Sequence, residues 1–332
     1  MSIPELLPED KAQNGTQNSA QSTDSDESIP AESLTFKSGN RSLPATASSA
    51  KKGLAGFEFL SMLAAELSRG PVDLPCFPKI VIKIRDALND PRTTIERAVK
   101  LIGAEPGLAA RLLHLANSAA FNPTGKRVSE LRSAITRLGQ LAVQGAAMAY
   151  AVQHMKDAQA LRTIAKPLTQ LWKQSITVAS ICQVVARNTR VQPDEAFLVG
   201  LLHAVGRLYI IAHAVGKEPD VARDLMSSDL IAGWHPAIGK AVLENWQTGD
   251  EFASAVADQA DYCRRIRSEA DLTDILIVSL VLSEAIARDP VGVIESEEVN
   301  SFRSLGLSPG DCPVIIKQAR HQLASLQEAL GC

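Results

Sequence analysis

From Leu54 onward, apolar residues recur at the spacing of an α-helix in nearly every segment of the chain. The first stripe runs from Leu54 to Leu67 and is stopped by Gly70-Pro71. No Asn-Gly or Asp-Gly hairpin between alternating apolar runs interrupts the series after this point. This pattern predicts an all-α fold in two packed bundles, with a helical solenoid as the alternative.

Capping signals predict where several of these helices begin. Pro78 opens a helix over KIVIKIRDAL, and Thr93 with Glu96 has the spacing of a capping box for IERAVKLIGA. Pro106 suits the first turn of GLAARLLHLANS. Further helices are predicted over residues 131–138, 141–155, 168–186, 195–212, 237–245, 252–266, 274–287 and 314–330.

Residues 1–52 have a different composition from the rest of the chain. They are rich in Ser, Thr, Asn, Gln and Pro and carry almost no periodic apolar pattern. We interpret this segment as a disordered N-terminal tail, with a regulatory or partner-docking arm as the less favoured alternative.

The composition of the chain indicates which binding partners and which cell compartment to expect. The 332 residues carry a formal net charge of -3, so no overall positive field favours nucleic acid. The five cysteines include no C-x-x-C pair, and the N-terminus lacks a secretory signal, which together predict a cytoplasmic protein. The apolar stretch 196–215 contains His203, Arg207 and His213, which favours a buried core helix over a membrane span.

Five segments of the chain are informative when taken together, namely LPCFPKIVIKIRDALNDP, EPGLAARLLHLANSAAF, LWKQSITVASICQVVA, DEAFLVGLLHAVGRL and HPAIGKAVLENW. Their order and spacings resemble the HDOD family, whose members are bacterial signalling relatives of the HD-domain phosphohydrolases. The resemblance covers roughly residues 67 to 287. It implies two helical lobes, at 54–165 and 166–290, the second of them HD-like, followed by a loop and helix at 291–332. The boundary near Lys166-Pro167 also rests on the placement of the proline.

In HD enzymes, histidines and aspartates from several helices bind metal that activates water against a phosphoester. The resemblance places Gln174 at the first histidine and His203-Ala204 at the histidine-aspartate pair. His235 matches a third ligand and Glu284 a late aspartate, while Gln259-Ala260 matches a further histidine pair. Because Ala204 has no donor atom, we expect no metal, no cofactor and no catalytic residue in this remnant site.

Two further groups of polar residues have structural interpretations. Asn117 and Ser118 resemble a family signature, and at a helix end they satisfy free backbone groups and steer the following loop. Arg111, Arg132 and Arg137 either form a basic patch for a nucleotide or, more often for such residues, pair with nearby carboxylates on helix surfaces.

The favoured function is a non-enzymatic bacterial regulatory protein that binds another signalling protein, and neither nucleic acid nor a membrane. One alternative is a metal-dependent phosphohydrolase of a nucleotide or cyclic dinucleotide, using His203, His235 and Glu284. Another is a sensor that binds a small ligand in the remnant pocket without turning it over. The helix over 314–330 either packs on its own domain or docks on a partner.

Overall fold

The computed structural model describes residues 47–67, 78–157, 162, 164–217, 225, 229–288 and 299–330. Every regular element among these residues is a helix, which confirms the all-α prediction. The predicted tail lies outside the described residues up to residue 46. The first helix begins at Ala47, inside the segment that was predicted as tail.

The helices are α1 (Ala47–Leu67), α2 (Lys79–Asn89), α3 (Ile95–Gly103), α4 (Pro106–Ala116), α5 (Leu131–Asp157), α6 (Ala165–Ala186), α7 (Pro193–Leu202), α8 (Val205–Lys217), α9 (Asp229–Asn245), α10 (Asp250–Ala257), α11 (Leu272–Arg288), α12 (Asn300–Ser304) and α13 (Cys312–Leu330).

The predicted capping box of α3 is wrong by one residue. Thr94 is the N-cap, and its side-chain oxygen accepts a hydrogen bond from the backbone N–H of Arg97 at 3.4 Å. The caps of the neighbouring helices agree with prediction, since Pro78 precedes α2 and Pro106 lies in the first turn of α4.

Helix α5 joins the two helices that were predicted over 131–138 and 141–155. Gly139 interrupts it with φ 71° and ψ 172°, a conformation that glycine adopts at little cost because it lacks a Cβ. The two segments therefore meet at a kink where the sequence predicts a break.

The helix predicted over 195–212 is two helices, because α7 ends at Leu202 and α8 begins at Val205. The His203 Nδ1 atom lies 2.7 Å from the Gly200 carbonyl oxygen, so the side chain uses an acceptor of the last turn of α7. His203 and Ala204 consequently lie at a corner between two helices. The helix predicted over 252–266 is also shorter, since α10 ends at Ala257 and a loop leads to α11.

Helix α6 lies at the centre of the packing and contacts α7, α11 and α13. One hydrophobic cluster contains residues from both ends of the described chain. The lobe boundary predicted near Lys166-Pro167 stays a prediction. The C-terminal helix packs back on the fold, where Ser180 Oγ donates to the Ala319 carbonyl at 3.0 Å and Gln322 Nε2 donates to the Ser180 carbonyl at 3.1 Å.

The stretch Pro193–Val215 has the length and hydropathy of a membrane-spanning helix, and 89% of its most apolar window is buried inside the protein. Burial of this kind is typical of a core helix in a globular protein.

Candidate functional site

His203 is a buried histidine at the corner between α7 and α8, with 5% of its surface exposed. Its Nδ1–H donates to the Gly200 carbonyl, which leaves Nε2 as the acceptor nitrogen. Burial, together with the positive charge of Arg207, lowers the pKa of His203 to about 4, although the hydrogen bond to Gly200 acts in the opposite direction. The imidazole is therefore neutral at physiological pH.

His235 lies in α9 directly before Pro236 and is also buried, with 6% of its surface exposed. Its Nδ1 atom makes no hydrogen bond with any described residue. Burial lowers its pKa to about 3, with additional contributions from Arg207 and then His203. The positive charge of Arg207 thus acts on both histidines.

A close approach of α8 to α9 brings these residues together at Gly206. A Cβ atom at this position would lie 2.0 Å from the His235 carbonyl oxygen and 2.7 Å from the Gly239 backbone nitrogen. Only glycine permits this contact between the two backbones. The Gly206 of the sequence motif therefore sets the distance between the elements that carry the two histidines.

Arg207 is a half-buried guanidinium beside the histidines, and the sequence reasoning did not include it among the site residues. Burial lowers its pKa, while the negative charge of Glu284 raises it. The Arg207 Nε atom is buried and makes no hydrogen bond with the described residues. Its position inside an otherwise apolar stretch is a sequence signal that would have identified it.

The other predicted site residues lie in surroundings that differ from those of the two histidines. Ala204 is buried and lines an apolar cavity between α5, α6 and α8. Gln174 is exposed on α6, so the structure does not bring it into the buried cluster. Glu284 is exposed on α11, and its negative charge acts on Arg207.

Gln259 occupies a position beside the histidines that the resemblance anticipated. Its Nε2 donates to the His203 carbonyl at 3.2 Å and to the Val256 carbonyl at 2.7 Å. The amide thus ties the end of α10 to the corner between α7 and α8. Among the described residues, no group of three or more His, Cys, Asp or Glu side chains is arranged to hold a metal ion.

Asn117 and Ser118 organise the loop after α4. Asn117 Nδ2 donates to the carbonyls of Leu113 at 2.8 Å and Val128 at 2.7 Å, and its Oδ1 accepts from the Val128 N–H at 2.8 Å. Ser118 Oγ donates to the Leu115 carbonyl at 2.7 Å. These bonds satisfy carbonyls at the end of the helix and fix the returning chain.

The three arginines considered as a basic patch have separate partners within the protein. Arg132 pairs with Glu96 at 2.7 Å. Arg137 donates to the carbonyls of Ala116 and Lys126 at 3.0 and 2.8 Å. The Arg111 guanidinium lies 5.9 Å from the centroid of the Tyr150 ring. These contacts favour the structural interpretation of all three.

Comparison with known proteins gives a family match over more than half of the chain, because the model of the HDOD domain matches residues 74–262. A protein of Treponema pallidum (strain Nichols) is 26% identical over 208 residues, which is 58% of this chain. The match spans only 39% of that protein's length.

Solved structures share the fold at low sequence identity. A Shewanella amazonensis SB2B protein, provisionally named a metal-dependent phosphohydrolase, superposes with a TM-score of 0.64 at 21% identity, over 82% of this chain and 99% of that chain. A Marinobacter aquaeolei VT8 protein, provisionally named a signal transduction protein, gives a TM-score of 0.51 at 19% identity, over 88% and 68% of the two chains.

Proposed function

Since this chain belongs to the HDOD domain family, we propose that it is a regulatory protein of bacterial signal transduction that binds another protein and does not hydrolyse phosphoesters. The family match supports the regulatory role. The name of the Marinobacter aquaeolei VT8 protein, which has a similar fold, is in keeping with it. The binding partner is a second signalling protein.

The observation that carries the non-catalytic part of the proposal is the environment of His203 and His235. A metal that activates water needs anionic or basic donors around one cation. At this corner the neighbouring residue is Ala204, which lines an apolar cavity, and the positive charge of Arg207 acts on both histidines. Two imidazoles beside a fixed positive charge do not fit a catalytic divalent metal, because like charges repel in a buried site.

Metal content and hydrolysis test this part of the proposal. The full chain, purified without chelator, is assayed for manganese, iron and zinc and for hydrolysis of bis(4-nitrophenyl) phosphate. His235→Gln is the test variant, and His114→Gln, at an exposed histidine of α4, is the matched control. We expect less than a tenth of a metal ion per chain and no hydrolysis in all three proteins.

Cross-linking in bacterial cells, followed by mass spectrometry, tests the binding part. We expect one signalling protein to be enriched equally by the unchanged chain and by His235→Gln. Two results would overturn the proposal. The first is about one metal ion per chain, lost in His235→Gln and kept in His114→Gln, together with hydrolysis. The second is the absence of any specifically cross-linked protein.

A further inference from the structure

The histidine cluster, which consists of His203, Arg207 and His235, contains polar atoms that the described part of the protein does not pair. His235 is more than nine-tenths buried, and its Nδ1 atom makes no hydrogen bond with the described residues. The Arg207 Nε atom is buried without a partner as well. Buried polar atoms are almost always hydrogen-bonded in folded proteins, so two exceptions in one cluster call for a cause.

Other nitrogen atoms of the same three side chains are unpaired and reach solvent. Among the ring nitrogens of the two histidines, only His203 Nδ1 has a hydrogen-bond partner within the described residues. Of the side-chain nitrogens in the cluster that lack such a partner, only His235 Nδ1 and Arg207 Nε are sealed from solvent. The two Nε2 atoms and the Arg207 Nη atoms therefore border space that a water-sized group reaches.

The backbone around the cluster is held in a fixed arrangement. Gly206 lies against the His235 carbonyl, so Arg207 and His235 extend from two helices that are in direct contact. On the other side of the corner, Gln259 Nε2 donates to the His203 carbonyl at 3.2 Å. Groups that extend from packed helices bind a ligand without a large entropic cost of ordering them.

The charge of the cluster is positive. The pKa values of His203 and His235 are lowered to about 4 and about 3, chiefly by burial, so both imidazoles are neutral at physiological pH. Arg207 stays charged, because an arginine side chain is not deprotonated in proteins. Glu284, whose charge acts on Arg207, is exposed on α11 and forms no ion pair with it in the described part of the chain. A partly buried positive charge without a paired carboxylate favours a bound anion.

The hydrogen-bonding groups of the cluster specify the kind of anion. The two Nη atoms of Arg207 form a fork that matches two oxygen atoms of an oxyanion. Because His203 Nδ1 donates to the Gly200 carbonyl, its Nε2 atom is an acceptor and requires a hydrogen-bond donor on the ligand. One guanidinium balances one negative charge, whereas a second charge on the ligand would be desolvated without compensation. The matching ligand is therefore a singly charged oxyanion that keeps at least one proton.

From this arrangement we propose that the histidine cluster binds a small protonated oxyanion, hydrogencarbonate or dihydrogen phosphate, between the Arg207 fork and the Nε2 atom of His203. Both anions offer two oxygen atoms to the guanidinium and an O–H group to the imidazole. Acetate offers the two oxygen atoms without the O–H group, and sulfate has no O–H group and carries two charges. The positive charge that opposes a divalent metal at this corner favours such an anion. The site does not rest on the proposed partner binding.

Titration calorimetry of the full chain at neutral pH and constant ionic strength tests the inference with sodium hydrogencarbonate, phosphate, acetate and sulfate. We expect one saturable site per chain for hydrogencarbonate or phosphate, and the tighter of the two identifies the oxyanion. Acetate and sulfate are expected to bind roughly tenfold more weakly or less, because neither donates to His203. This series uses the unchanged protein, so its outcome does not depend on the folding of any variant. No saturable binding, or equal affinity for all four anions, would overturn the inference.

Variants and a spectroscopic signal then locate the site. Arg207→Gln is expected to weaken binding roughly tenfold or more, and Arg207→Lys, which keeps the charge without the fork, severalfold. Arg265→Gln, at an exposed arginine in the loop after α10, is the matched control and leaves binding unchanged. In NMR spectra of the unchanged protein with nitrogen-labelled histidines, the anion is expected to shift the Nε2 signal of His203 and not that of the exposed His114. Unchanged affinity in Arg207→Gln, or no shift at His203, would refute the site.

Discussion

Two buried polar clusters in the C-terminal half of the chain differ in how their groups are paired. The first, the ion network, joins the loop after α10 to α11 and α12. Arg264 forms a two-pronged pair with Asp271 at 2.6 and 2.9 Å and a third contact with Asp274 at 3.0 Å. Ser301 Oγ donates to Asp274 at 2.8 Å. Each buried charge in this network therefore has a partner.

The second cluster, the histidine cluster, consists of His203, Arg207 and His235. Its backbone positions are tightly fixed, yet His235 Nδ1 and Arg207 Nε make no hydrogen bond with the described residues. A buried polar atom without a partner costs about 1–3 kcal/mol. The ion network is therefore accounted for by folding, whereas His235 Nδ1 and Arg207 Nε cost stability and require another explanation.

The largest expected difference between the two clusters is in how their contribution to the free energy of unfolding changes on acidification. The pKa values of His203 and His235 are lowered to about 4 and about 3, from about 6.5 in the unfolded chain. Below pH 6.5 the unfolded chain binds more protons than the folded protein. The free energy of unfolding therefore decreases as the pH is lowered, by roughly 1.4 kcal/mol per pH unit for each histidine. Urea unfolding between pH 7.5 and 4.5 measures this slope, and His235→Gln is expected to remove about half of it.

Asp271 of the ion network titrates in a lower range. Burial of Asp271 acts to raise its pKa, but hydrogen bonds from Arg264 and the Asp274 backbone prevail and hold it at about 2. This contribution is present above pH 3.8 and is lost as the pH falls through about 2. Asp271→Asn should therefore keep the slope of the unchanged protein between pH 6.5 and 4.5. A reduced slope in that variant would contradict the assignment to the histidines.

Removing a carboxylate from the ion network is expected to be the next largest effect. Asp274 is fully buried, and Asp274→Ala leaves Arg264 and Ser301 without one of their partners. We expect a loss of about 3 kcal/mol in the free energy of unfolding, measured by urea titration at pH 7.5. Glu269→Gln, in an exposed pair with Arg190, is the control and should cost less than about 0.5 kcal/mol.

The contact between α8 and α9 at Gly206 positions the histidine cluster, and disturbing it is expected to have a smaller effect on stability. Gly206→Ala places a methyl group against the backbone of α9, and we expect a loss of about 2 kcal/mol from the forced separation of the helices. Gly233→Ala is the matched control in α9, because a Cβ there meets nothing within 4 Å. That variant should be neutral or stabilising by up to about 1 kcal/mol. Equal effects at the two glycines would show that the contact is not tight.

The comparison also separates what the sequence predicts from what it does not. Helices such as α2, α4 and α6 were predicted because their apolar periods and caps are local signals. The corner at His203 was missed because the apolar run continues through it, and the break depends on a bond from the histidine to the Gly200 carbonyl. The short extent of α10 was missed for a similar reason, since Gln259, just after its end, donates to the Val256 carbonyl and to the carbonyl of His203, which is 56 residues away in the sequence.

The candidate site was predicted in part. The resemblance identified His203 and His235, and the fold brings them together, because Gly206, three residues after His203, lies against the His235 carbonyl. Gln174 is exposed, so its alignment with a metal-ligand position does not translate into a shared pocket. Arg207 was missed because the reasoning searched for metal ligands, and a guanidinium is not one. Cavities formed by several helices leave no periodic signal in the sequence.

The smallest expected effect is the most direct test of the comparison. In His235→Met, a flexible apolar side chain of similar size replaces an imidazole whose Nδ1 makes no hydrogen bond within the described residues. We expect the free energy of unfolding at pH 7.5 to change by less than about 1 kcal/mol, with stabilisation as the favoured sign. Ser301→Ala, which removes a paired hydroxyl from the ion network, should cost about 1–2 kcal/mol under the same conditions. If His235→Met costs more than Ser301→Ala, the histidine makes a stabilising interaction, and the contrast between the clusters fails. If it is neutral, stability does not explain a histidine at this position.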